Sequence, residues 1–132
     1  MFFKENNEFG VKSETESLPL INKFFNTKLK HNKEDIFSNF DFENEDYVIE
    51  MKTRKLRSDK YSTTFITEKK RKDANKEERE VIWVFRYTDG LFYLNFNENK
   101  DRINDLPTNT MNTYYGVRTN IDIPISLLIK FE

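Results

Sequence analysis

The sequence predicts a mixed α/β (α+β) domain, a central mixed β-sheet flanked by helices, and three observations carry that expectation. Leu18, Ile21 and Phe25 recur at helical spacing. Two later stretches, 37–53 and 81–96, alternate apolar and polar residues around short turns, as hairpins do. Between the hairpins lies a lysine-rich segment of helical character, so helices and strands interleave along the chain. The 132 residues have room for one domain, 1–132, burying roughly two-thirds of the surface an unfolded chain exposes.

Ser13 has the side chain to cap a first helix running to about Thr27, with Glu14 and Glu16 in its first turn, where the helix dipole favours negative charge. Pro19 removes a backbone donor about one turn in, so the regular helix begins at Ser13 or nearer Ser17. Residues 28–35 are polar and read as a loop. Phe37–Phe42 and Tyr47–Thr53 then form a hairpin around Glu43-Asn44-Glu45-Asp46. A second helix is expected over Thr64–Glu77, capped by Thr63 or Thr64. In the second hairpin, Val81–Tyr87 and Leu91–Phe96 flank Thr88-Asp89-Gly90. A type I′ turn on Asp89-Gly90 pairs Thr88 with Leu91 and collects Val81, Trp83, Phe85, Phe92, Leu94 and Phe96 on one buried face. Asn97–Asn120 is polar and reads as irregular, with Tyr114, Tyr115 and Arg118 its notable side chains, and Ile121–Ile129 is a short apolar element broken by Pro124.

Composition narrows the chemistry. Charged residues make up 34% and aromatic residues 15%, which fits a folded domain with a heavily charged surface, since disordered chains are poor in aromatics. There is no cysteine and a single histidine, His31, which excludes thiolate chemistry, disulfides, histidine metal clusters and a Ser-His-Asp triad. Catalysis would fall to carboxylates, lysine, hydroxyls or a bound cation. The net charge of −1 gives no global attraction for nucleic acid, but from Lys52 to Asp73 nine basic residues face three acidic ones. Neither a secretion signal nor a membrane span is apparent, so the expectation is an intracellular protein with no membrane partner.

One constellation carries chemistry. The acid-x-lysine triplet Glu50-Met51-Lys52 is no signal alone, because the chain holds three such triplets where frequency predicts about 2.6. Context separates it: Glu50 and Lys52 interrupt an apolar strand, whereas the triplets at Glu68 and Glu98 lie in polar segments. A turn centred on Asn44-Glu45 pairs Phe42 with Tyr47, Asp41 with Val48 and Phe40 with Ile49. Phe40, Phe42, Tyr47, Ile49 and Met51 then share one face, and Asp41, Val48, Glu50 and Lys52 the other. Asp41 becomes the diagonal neighbour of Glu50, within reach of one cation. A hard cation such as Mg2+ (or Mn2+) takes one or two carboxylates with carbonyl and water oxygens, which Asp41, Glu50 and the Met51 carbonyl would supply. Lys52 would orient or deprotonate an attacking water, a set suited to phosphodiester hydrolysis. Glu14 lies one turn back along the stripe of Leu18, Ile21 and Phe25; Glu16 is the alternative. Arg54 continues the row of Lys52 and has the fork geometry for phosphate, while Thr53 reads as structural.

The run Phe40-Asp41-Phe42, a short turn and Val48-Ile49-Glu50-Met51-Lys52-Thr53-Arg54 resembles the PD-(D/E)XK, or restriction-endonuclease-like, nuclease superfamily. It is nearest to the small single-domain versions of large DNA viruses and some phages, with Phe40 where the motif has proline. The resemblance implies an αβββαβ core, Mg2+ on Asp41 and Glu50, Lys52 as the catalytic lysine, and a glutamate of the first helix, Glu14, completing the site. It also implies a DNA substrate in repair, recombination or genome processing; cutting two strands needs two sites, which a homodimer would supply, while a nicking monomer is equally consistent. Arg54, Lys55, Arg57 and Lys69 (or Lys70) are the candidates for binding the nucleic-acid backbone. The alternative is a non-catalytic nucleic-acid-binding module using Lys52, Arg54, Lys55, Arg57 and the Tyr114-Tyr115 loop.

Overall fold

Alternate side chains of two central strands feed two separate cores, and that division positions everything else. The computed structural model describes residues 2–33, 35 and 38–131. In chain order its elements are α1 (Phe2–Phe25), β1 (Lys30–His31), β2 (Phe42–Glu43), β3 (Tyr47–Thr53), β4 (Thr63–Thr67), α2 (Glu68–Lys76), β5 (Glu80–Tyr87), β6 (Gly90–Asn95), α3 (Lys100–Asn104), β7 (Thr108–Thr113), β8 (Gly116–Pro124) and β9 (Ile129–Lys130). Six strands form a mixed sheet in the order β1-β2-β3-β5-β6-β9, parallel only between β3 and β5. A second, antiparallel sheet has the order β4-β8-β7.

Ile49 and Met51 of β3, with Ile82 and Val84 of β5, pack under α1 against Ile21. Val48, Val81, Trp83 and Phe85 point the other way, onto Ala74 of α2, Ile103 of α3 and Ile66, Ile121 and Ile123 of the second sheet. A strand covered on both faces has to be apolar at successive positions, as Val81 to Phe85 are. Glu50 is therefore exceptional: it is a carboxylate only 3% exposed in a strand of this kind.

The first helix begins at Phe2, well before Ser13, and continues through Pro19, which lies on its exposed side. Ser13 is thus a mid-helix residue and not a cap. Its hydroxyl lies 2.5 Å from that of Thr53, and the Arg86 guanidinium reaches the Ser13 carbonyl and the Ser17 hydroxyl, so docking on the sheet fixes the helix where local capping signals do not. Leu18, Ile21 and Phe25 do form the inward stripe. The helix stops at Asn26, whose φ of 52° is the left-handed conformation that ends helices.

Both hairpins form where expected, but their registers slide by two residues. The first pairs Phe42 with Ile49 and Glu43 with Val48, the Asn44 amide donating to the Tyr47 carbonyl at 3.0 Å. The Asn44 side chain explains the shift, since its oxygen accepts from the amides of Asp46 and Tyr47. The second pairs Tyr87 with Gly90, leaving Thr88-Asp89 as the loop. A slip of two preserves which face each side chain takes, so Val81, Trp83, Phe85, Leu94 and Phe96 share the second core, with Phe92 packed at its margin.

Five local expectations are corrected. Phe40 packs with Val48 and not with Ile49 and Met51, because the Asp41 amide donates to the Ile49 carbonyl while Phe42 pairs with the same residue. Two residues opposite one is a β-bulge, and it reverses the face of what precedes it. The expected strand shortens to Phe42–Glu43, and its expected start, Phe37, lies outside the described residues. The presumed loop contributes β1, paired to β2. Thr63–Thr67 is strand β4, its β-branched and aromatic residues pairing with β8, so α2 starts only at Glu68. The stretch 97–120 contains α3 and the hairpin β7–β8, whose polar Thr and Asn residues hide the alternation that would mark a strand with a buried face.

Gly90 has φ +141°, and a Cβ there would meet the Lys130 Cε at 3.0 Å. Gly90→Ala is expected to destabilise the fold by about 1–3 kcal/mol, read as a shift of the urea midpoint without a change in slope.

Candidate functional site

The bulge at Asp41 puts its carboxylate beside β3. Asp41 Oδ2 accepts from the Met51 amide at 2.8 Å. The peptide groups of Ile49 and Met51 both face β2, and β2 begins only at Phe42, so the Met51 carbonyl opens on the space beyond the strand end. Asp41, Glu50, Met51 and Lys52 line a cleft of about 450 Å³, closed on one side by Glu14 and Gly10 of α1. Because α1 starts at Phe2, Glu14 is not a first-turn capping acid, and it faces Asp41, Glu50 and Lys52 of the cleft together with His31 of β1.

Lysines frame Glu50 from two elements. Lys52 Nζ lies 3.2 Å from Glu50 Oε1, and Lys70 Nζ of α2 lies 3.2 Å from Oε2 while donating to the Asn39 carbonyl at 3.0 Å. The second contact is an ion pair without hydrogen-bond geometry, so the buried Oε2 remains unsatisfied as an acceptor. Among the described residues, no three His, Cys, Asp or Glu side chains stand in ligand geometry. In this arrangement the lysines hold the Glu50 carboxylate towards themselves.

The remaining acids are electrostatically crowded. Burial, then the charges of Glu50 and Glu14, push the Asp41 carboxyl up to about 8 against the opposing Met51 amide and Lys52. Burial and Glu50 raise Glu14 to about 7, with Lys52 and a hydrogen bond from Asp41 opposing. Glu14 Oε1 also lies 3.0 Å from Nε2 of His31 on β1. Burial, with Lys33 nearby, lowers the pKa of His31, so near neutral pH this contact is a hydrogen bond to a neutral imidazole more than an ion pair. Once Asp41 and Glu14 lose their protons, three carboxylates face two lysines, and a divalent cation would relieve the resulting negative charge. The residues fit a hard cation on Asp41, Glu50 and the Met51 carbonyl, with Glu14 alongside.

The other candidates separate. Glu16 pairs with Arg86 at 3.2 Å on the far side of α1 from the cleft lining. Arg54 lines the cleft, but its guanidinium stacks 4.6 Å from the Phe65 ring centroid and donates to the Phe65 carbonyl at 2.7 Å, joining β3 to β4. Lys55 is exposed at the cleft rim, over the Phe9 ring at 4.1 Å. Arg57 is bound up with Asp59 and Asp89, and Lys69 pairs with Asp73 at 3.0 Å on the outer side of α2. Neither lines the cleft. Of the two lysines weighed on that helix, Lys70 is the one brought to the site. His31 escaped motif reading because its strand is two residues long and lies in a polar segment; no spacing signal marks it. No protein-family model, curated sequence or solved structure matches this chain.

Proposed function

We propose that this chain is a Mg2+- or Mn2+-dependent DNA endonuclease with a restriction-endonuclease-like core. The observation that carries the reading is the convergence of Glu14, Asp41 and Glu50, from a helix, a bulge and a central strand, around Lys52 in one cleft. Element order supports it: setting aside β4, which joins the other sheet, the chain opens with helix, three strands, helix and strand, before β6, α3 and β7–β9 follow. A bound divalent cation would supply Lewis-acid stabilisation of charge developing on the scissile phosphate. Asp41 and Glu50 would hold it, and Lys52 would orient the attacking water and help take up its proton. Lys70 balances the charge of Glu50 from the opposite side, and His31 fixes Glu14.

The test is incubation of the protein with supercoiled, linear, flap and four-way-junction DNA, with Mg2+ or Mn2+ and with chelator. Cleavage of at least one form, abolished by chelator, is expected; no cleavage of any form in either metal removes the catalytic reading. One observation favours the alternative of a non-catalytic DNA-binding module: the two lysines on Glu50 already neutralise it. DNA binding without cleavage in any metal would select that alternative. As a control, Arg57→Ala is expected to leave the cleavage rate within about twofold, since a solvent-exposed ion pair away from the cleft contributes little.

A further inference from the structure

Beyond Lys52 the cleft continues along α1. A hollow of about 370 Å³ shares Phe9, Thr53, Arg54 and Lys55 with it. A larger one of about 660 Å³ shares Glu16, Arg86, Tyr87 and Thr88 with the first and reaches Phe24 and Phe131. The two hollows make a groove on the Glu16 flank of α1 that meets the acidic cleft where Phe9, Thr53, Arg54 and Lys55 line both. Outside the acidic cleft, the described residues lining it include Lys12, Lys23, Arg54, Lys55 and Arg86 against a single acid, Glu16, in a chain whose net charge is −1. Arg86 pairs with Glu16 at 3.2 Å and Arg54 is engaged by Phe65, which leaves Lys12, itself 4.0 Å from Glu16, with Lys23 and Lys55 as the cations on the walls. Lys12, Lys23 and Lys55 are exposed to solvent. Interleaved with them are apolar surfaces: Phe9, 39% exposed with Lys55 4.1 Å from its ring centroid, Leu20, 56% exposed, and Phe24, one face of which is stacked on Phe131 at the far end.

Cations spaced along a groove, alternating with aromatic faces, are what a single nucleic-acid strand requires, since the charges track phosphates and every base has a face to stack. One wall is a single helix and the other a set of strand ends, so a duplex would have to lie across the mouth. Resting on the nuclease reading, we propose that this groove carries one polynucleotide strand along α1 into the acidic cleft. Its phosphates lie near Lys12, Lys23 and Lys55 and its bases against Phe9, Leu20 and Phe24. The substrate class is therefore nucleic acid with a single-stranded end or flap.

Fluorescence anisotropy tests this with labelled oligo(dT) and oligo(rU) of increasing length, up to about 16 nucleotides, and a blunt duplex, all in EDTA so that binding is read without cleavage. The wild type is expected to bind the longer single strands at least about tenfold tighter than the duplex. Affinity should rise with length to a plateau, and its logarithm should fall with log salt at a slope of about −2 for three phosphate contacts. A dT or rU preference identifies which strand the groove takes. The double variant Lys12→Glu/Lys23→Glu should lose about tenfold or more and flatten the salt slope, with an unchanged thermal midpoint showing that it folds. Equal affinity for duplex, or charge reversal without effect, overturns the proposal. Single-strand binding without cleavage would leave the groove standing and remove the nuclease reading; cleavage insensitive to the reversal would do the opposite.

Discussion

Replacing Lys52 with alanine is expected to lower metal-dependent DNA cleavage by about 10²–10⁴-fold, the range for a group that handles the proton of the attacking water. Stability should change little. The Lys52 side chain is 33% exposed, and Lys70 stays 3.2 Å from the same carboxylate, so Glu50 keeps a cation. Glu50→Ala should abolish cleavage at least as completely, through loss of a cation ligand, with a cost in stability as well. It strips the partner from two lysines, although both can turn their ammonium groups towards water, which holds the loss below the roughly 3–5 kcal/mol typical of breaking a fully buried pair. Rates on plasmid DNA together with urea denaturation separate the two effects. A Lys52→Ala protein cutting within about threefold of wild type would remove lysine from the mechanism.

Stability should fall as the pH rises, and a divalent cation should reverse the fall. Asp41 is held up to about 8 from an ordinary 3.8, and Glu14 to about 7 from 4.5. Both folded values are raised, so between those limits the folded chain binds more protons than the unfolded one. The stabilising contribution is complete below the unfolded pKa values and is lost as the pH climbs through about 7 for Glu14 and about 8 for Asp41. Each group changes stability by at most about 1.4 kcal/mol per pH unit inside its window. Thermal melts at steps across this range should therefore show a declining midpoint, flattened in Asp41→Asn, which cannot ionise. Mg2+ or Mn2+ competes with these protons, so its stabilisation should grow over the same interval. A midpoint that rises with pH across the interval would contradict the crowding of acids in the cleft.

The parts of the fold that sequence made legible are those governed by side-chain period. The second hairpin, the β3 half of the first, the inward stripe of α1 and the shared face of Val81, Trp83 and Phe85 follow from spacing alone, and these faces survive a register slip of two because parity is kept. What escaped depends on tertiary contacts. The early start of α1 is stabilised by Ser13 and Ser17 docking on Thr53 and Arg86, and β4 exists because β8 pairs with it. Within the site, Glu50 and Lys52 were evident as polar residues interrupting an apolar strand. Asp41 was brought there by a bulge that the regular ladder did not contain, while that same bulge sent Phe40 to the opposite core. Lys70 and His31 reach the site through elements folded against it, a relation no linear spacing records.

Isothermal titration of the protein with Mn2+ near neutral pH, in two buffers of different ionisation enthalpy, addresses the cleft most directly. Wild type should bind a cation and release protons from Asp41 and Glu14, so that the observed heat depends on the buffer, and Asp41→Ala should lose most of the affinity. No binding by wild type, or equal binding by Asp41→Ala, would contradict a metal-dependent site built on Asp41, Glu50 and Glu14.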